Sequence, residues 1–259
     1  MKLGFCCPPE RLYILERCGI DNIELSVAQL ENLTDTERED FRKRLAGSSV
    51  AFESVNCLIG GFSLYEDANF VKTRAHLERV LPELASFGVN KVVFGSGGYR
   101  KVPEGMEREE AKARIYAFLR LLSEMTMPYG IVTVLEHLPV RSCNILTSSA
   151  EAAAYVRDLK LPNLKLLIDF WHLLYEGERL DVLPGYGDIL AHTHIANPIH
   201  GHTPAPGDAF DVTACVRALR LGGYDGAIVA EVVVKGDLEE SVRGFKTVMD
   251  AAIKEAFSK

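Results

Sequence analysis

Eight short apolar runs alternating with amphipathic helical segments over 259 residues predict a single (β/α)8 barrel. Three observations carry this expectation. The strand-like runs are nearly continuous in Val, Ile, Leu and Phe, as strands buried on both faces must be, which points to a parallel sheet covered by helices. No linker or low-complexity block divides the chain, so one domain covering residues 1–259 is expected. Eight units at this length favour closure over an open doubly wound sheet.

The elements follow in order. KLGFCC leads into PPERLYILERCG, whose helix closes on Gly19. NIELSV precedes the charged helix TDTEREDFRKRLAG, and AFESVNC precedes ANFVKTRAHLERVLPELASFG. KVVFGSG pairs with EREEAKARIYAFLRLLSEMTMPYG, and IVTVLEHL with the capped helix TSSAEAAAYVRDLK. LKLLIDF is followed by a weaker helix within GERLDVLPGYGD. ILAHTHIA with DVTACVRALRLGG, then AIVAEVV with DLEESVRGFKTVMDAAIKEAF, complete the series.

Composition excludes several classes. A formal net charge of -7 argues against a nucleic-acid partner, which needs a basic surface. No run approaches the roughly 18 apolar residues of a membrane span, and the N-terminus lacks a signal-peptide core, so a cytoplasmic protein is expected. Cys6, Cys7, Cys18, Cys57, Cys143 and Cys215 form no CxxC pair and read as free thiols. Cys57 and Cys143 follow strand-like segments, where a nucleophile is one reading and a small buried hydrophobe the commoner one.

The chemistry concentrates at four strand ends. Glu136, Asp169, His194 and Glu231 lie at or near the C-terminal ends of the last four apolar runs, which converge on one face of a parallel barrel. Three carboxylates and an imidazole meeting there suit one divalent cation, Mn2+ first, with Mg2+, Co2+ or Zn2+ as alternatives. Taken singly, Glu136 also reads as a loop anchor, Asp169 as a helix N-cap and His194 or His192 as a satisfied core histidine. Glu231 directly follows AIVA, where burying a carboxylate is costly unless it is compensated.

With these residues in place, the whole chain resembles the xylose isomerase-like sugar isomerase and epimerase barrels, most closely the ketose 3-epimerase (D-tagatose 3-epimerase-like) branch. LEHLPVRSCNILTSSAEA resembles that family's fifth strand and loop, GGYDGAIVAEV its approach to the last glutamate, and DFWH supplies its histidine three residues after the metal aspartate. The resemblance implies Glu136, Asp169, His194 and Glu231 as metal ligands. It also implies Glu136 and Glu231 as the acid and base on opposite faces of a ketose, and His172 as a contact to the oxygen of a metal-stabilised enediolate. The arginine that follows the metal histidine by six residues in the epimerases is His200 here, and Ser142 stands where the fifth-strand loop often carries an acid, with Asn144 as a possible polar substitute.

Other candidates follow from position. His200 and His202, in IANPIHGHTPAPGD, read either as groups that bind hydroxyls or move protons, or as solvated loop residues. Glu24, Glu53 and Asn56, on or near strands two and three, are expected to bind sugar hydroxyls or to make inward structural hydrogen bonds. Phe62, Tyr65, Tyr99 and Trp171 read as apolar walls or core, and GSGGYR with Arg100 as a weak phosphate cradle. The implied partner is a small carbohydrate, on a homodimer or homotetramer without nucleic acid or membrane. Alternatives within reach of the same ligand set are an aldose–ketose isomerase, an inosose dehydratase-like lyase and a C-glycoside deglycosidase. A non-catalytic sugar-binding barrel is more remote because the metal set is retained, and an endonuclease IV-like nuclease because VNCLIGG and VVFGSGG supply no histidines.

Overall fold

In a computed structural model that describes residues 1–61 and 63–258, eight parallel strands close into a barrel. They are β1 (Lys2–Cys6), β2 (Asn22–Ser26), β3 (Ala51–Asn56), β4 (Lys91–Phe94), β5 (Val132–Glu136), β6 (Leu164–Asp169), β7 (Leu190–Ile195) and β8 (Ala227–Ala230). Each pairs with the next, and β8 pairs with β1 from Lys2–Ala227 to Phe5–Ala230, so no edge is left unpaired.

Strand alternation sorts the side chains. From β1 and β2, Leu3, Phe5, Ile23 and Leu25 join the large apolar core. That core includes helix residues, among them Phe245 of the C-terminal helix Leu238–Phe257, whose ring meets Phe5 edge-on at 5.8 Å. Val93, Val134 and Leu167 form a separate small apolar cluster. Several helices begin where side-chain oxygens accept otherwise unpaired N–H groups: Thr34 with Glu37 as a capping box, Ser148 from Glu151, and Asp237 from Glu240.

The sixth unit departs from the expected single helix. β6 runs into the short helix Phe170–Tyr175, and a 3-10 segment, Leu180–Tyr186, follows. Pro184 lies inside that segment and cannot supply an α-helical N–H. Gly187 then passes so close to Gly222 that a Cβ would sit 2.0 Å from the Gly222 carbonyl oxygen, a gap only glycine fits. Among the described residues no helix is long and apolar enough to cross a membrane.

Because Phe5 is fully buried under the C-terminal helix, Phe5→Ala is expected to cost about 3–5 kcal/mol of stability in urea denaturation. A loss below about 1 kcal/mol would show that this strand–helix contact does not secure the barrel.

Candidate active site and metal centre

β5 and β6 end on Glu136 and Asp169, His194 is the penultimate residue of β7, and Glu231 follows the last residue of β8. One atom from each of these four side chains lies within 4.8 Å of all the others. His194 is the centre: its Nδ1 is 2.9 Å from Glu231 Oε2 and 3.6 Å from Glu136 Oε1. Asp169 divides its oxygens. Oδ1 accepts the backbone N–H groups of Trp171 (2.6 Å) and His172 (3.3 Å) and so caps the next helix, while Oδ2 lies 3.7 Å from His172 Nε2. The cap and cluster readings of this aspartate therefore hold together.

Burial dominates the electrostatics. It pushes the Glu136 carboxyl up, although the neighbouring imidazoles oppose it. It also works against ionised Glu231, but the adjacent His194 outweighs it and leaves that carboxyl below the usual range. His194 would be lowered by burial, yet Glu231 and Glu24 raise it well above an ordinary imidazole. Glu136 Oε1 and His194 Nδ1 are buried and make no hydrogen bond. Unpaired oxygen and imidazole atoms converging at this spacing fit a divalent cation with hard or borderline preferences.

The cluster opens into a cavity of about 1490 Å³ whose lining includes Asn56, Arg141, Trp171, His172, His200 and His202. His172 Nδ1 donates to the His137 carbonyl at 2.9 Å, while its Nε2 is the nitrogen near Asp169. Asn56 Nδ2 donates to Glu231 Oε1 at 2.6 Å, so the amide orients a site carboxylate. The rings of His200 and His202 stack 5.4 Å apart, and the Arg141 guanidinium lies 4.3 Å from the Trp171 ring and 4.8 Å from Tyr175.

Several expected contacts lie elsewhere. Glu53 does not line the cavity: it pairs with Lys2 at 2.7 Å and Lys91 at 3.9 Å, the residues that open β1 and β4 at the opposite end of the barrel. Its place three residues before the end of β3 keeps it from the mouth. Arg100 is fully buried, and its guanidinium donates to the carbonyls of Phe94, Glu136 and Leu146, so it braces backbone and cradles no phosphate. Tyr65 and Tyr99 are core, Asn144 is tied to the Val102 backbone, and Phe62 lies outside the described residues. Glu24 is fully buried behind His194 and contacts both His192 and His194, which hold its carboxyl well below the usual range against the opposing effect of burial.

Sequence reasoning read Gly95, within GSGGYR, as part of a weak phosphate cradle, and the structure gives it a different part. A Cβ there would lie 2.1 Å from Glu136 Oε2, so the glycine makes room for the carboxylate. Its signal is a glycine in the inward-facing place just beyond an apolar strand run. Gly95→Ala is expected to displace Glu136 and weaken Mn2+ binding by about tenfold or more with the fold retained by circular dichroism. Unchanged affinity would separate Glu136 from the ion.

Cys57 is exposed, but burial of its thiol and the nearby carboxylates of Glu231, Glu136 and Glu24 push it up to about 11. At pH 8 only about one thiol in a thousand is then thiolate, so alkylation by iodoacetamide should be slow and rise tenfold per pH unit toward pH 11. Fast alkylation at pH 7 would restore the nucleophile reading.

The chain is 25% identical over 235 residues to the 3-dehydro-D-guloside 4-epimerase of Escherichia coli K12, covering 88% of each. It is 23% identical over 230 residues to the D-psicose 3-epimerase of Agrobacterium fabrum, covering 85% of this chain and 77% of that one. Among solved structures, the IOLI protein with a bound zinc atom superposes over all of both chains with a TM-score of 0.83 at 21% identity. The family model for the xylose isomerase-like TIM barrel matches residues 12–251, and the chain belongs to that family.

Proposed function

We propose that this protein is a metal-dependent sugar epimerase or isomerase that moves a proton at a carbon beside a carbonyl, with Glu136 and Glu231 as the acid–base pair. The observation that carries the reading is the convergence of Glu136, Asp169, His194 and Glu231 within 4.8 Å, with Asp169 and Glu231 lining an open cavity. These four residues would hold one divalent ion, Mn2+ by preference for an oxygen-rich set. When bound, the ion supplies positive charge that polarises a substrate carbonyl and makes the adjacent C–H acidic.

The remaining work falls to side chains. A glutamate has two oxygens, so Glu136 and Glu231 can each serve the ion through one and exchange a proton through the other. One removes the proton and the other returns it on the opposite face of the substrate. Asn56 holds Glu231 in place, and His172, whose Nδ1 proton goes to the His137 carbonyl, offers its Nε2 as an acceptor for the hydroxyl of the enediol. Trp171, His200 and His202 bind the rest of the sugar.

The cavity also bears on substrate size. Ligand pockets usually measure about 300–1,000 Å³, and this one is larger, at about 1490 Å³. A reacting sugar that carries a further group, such as a glycoside, uses that space better than a free ketose. The similarity to a 3-dehydro-D-guloside 4-epimerase over 88% of the chain supports the same choice.

The test is deuterium uptake in D2O by keto-glycosides and free ketoses with Mn2+-loaded protein, read by NMR after chelation and filtration. Uptake at the carbon beside the carbonyl is expected, falling about 100-fold or more in Glu136→Gln and in Glu231→Gln. Near-wild-type exchange in either variant, with metal occupancy confirmed by mass spectrometry, would end the two-glutamate mechanism. Loss of water or of an aglycone without exchange would assign a lyase or deglycosidase instead. His172→Ala should lower turnover more than metal occupancy, and equal loss of both would make it a support for the ion.

A further inference from the structure

Resting on the metal-site reading above, we propose that Glu24 is a positioning residue that fixes which nitrogen of His194 faces the ion. Glu24 lies on β2, across the barrel from β7, and is fully buried. Its two oxygens do different things. Oε2 accepts from His192 Nε2 at 2.9 Å and from the Ser54 hydroxyl, while Oε1 lies 2.9 Å from His194 Nε2, with Cys6 Sγ 3.6 Å away. The opposite nitrogen of His194, Nδ1, is the one turned to Glu231 and Glu136.

An imidazole that gives one nitrogen lone pair to a cation carries its proton on the other nitrogen. If Nδ1 faces the ion, the proton is on Nε2, and the carboxylate within reach of it is Glu24. The Nε2–Oε1 contact is at hydrogen-bond distance but off the N–H axis, so in this arrangement it acts through charge rather than as a formed hydrogen bond. A carboxylate behind a metal-ligating histidine fixes the tautomer and the ring orientation, and it makes the facing nitrogen more basic. His192 and Ser54 anchor Glu24 from its other oxygen, so the orienting carboxylate is itself held.

Glu24, His192 and His194 are also close enough together to suggest a second ion site. The hydrogen bonding argues against it. His192 Nε2 donates to Glu24, so that nitrogen has no lone pair to offer, and Glu24 Oε2 is already shared between two donors. The arrangement is complete as a second layer behind the first cluster. Neither histidine alternation nor the spacing of the metal ligands assigns Glu24 this part.

Long-range 1H–15N spectra of histidine-labelled protein loaded with diamagnetic Zn2+ test the assignment without any variant. The expected result is a protonated Nε2 and a metal-shifted Nδ1 for His194, and a metal-bound Nε2 would overturn it. In parallel, Glu24→Gln should weaken Mn2+ binding, measured by calorimetry, by about 10–100-fold. Glu53→Gln at the far end of the barrel should leave it unchanged. Affinity within twofold of wild type in a folded Glu24→Gln protein would overturn the proposal, as would lost thermal stability of the metal-free form with affinity intact. If wild-type protein takes up no stoichiometric Mn2+, the metal-site reading fails as well; if it does, and Glu24→Gln matches it, only the present inference fails.

Discussion

Four carboxylates crowd around one buried imidazole at the mouth of the barrel: Glu24 on one side of His194, and Glu136, Asp169 and Glu231 on the other. Charges taken out of water are costly unless each is paired or hydrogen-bonded, and much of the surrounding structure answers that constraint. Asp169 spends one oxygen on the N-terminus of the helix Phe170–Tyr175. Glu231 takes the amide of Asn56, and Glu24 takes His192 and Ser54. Glu136 Oε1 and His194 Nδ1 are left unbonded at the point where the four side chains meet. A divalent cation is the natural complement to that remainder.

Packing behind the site serves the same end. Gly95 directly follows the last residue of β4, so that Glu136 can occupy the space a side chain would fill. Arg100 stands behind that strand end as a fully buried cation whose two terminal guanidinium nitrogens donate to carbonyls, including that of Glu136. It ties together the ends of β4 and β5 and the loop at Leu146, and its charge faces an acidic centre. In front of the site the surroundings are aromatic, with Trp171 between Tyr175 and the cavity and Arg141 over both rings. The four-residue cluster is thereby placed at strand ends, and the aromatic wall is carried by the short helix that follows β6.

What could be read from the chain follows from periodicity. Continuous apolar runs spaced by amphipathic segments have few solutions other than a closed parallel sheet, and each strand end then has a known destination. Glu136, Asp169, His194 and Glu231 were legible because each sits at the C-terminal limit of such a run. The sixth unit was less so, since Pro184 and the contact at Gly187 break the helical period. Glu53 misled because a residue within a strand run does not declare how near it stands to the mouth.

The sequence by itself determined the order of elements, the closure of the barrel and the strand ends that bring ligand types to one face, because periods of two and 3.6 are local properties of the backbone. Only the tertiary structure decided how those side chains are used. That Glu24 stands behind His194, that Asn56 holds Glu231 and that Arg100 braces the Glu136 strand all depend on register across the barrel between residues far apart in the chain. Distance across a closed sheet is set by shear and packing, which no local pattern encodes.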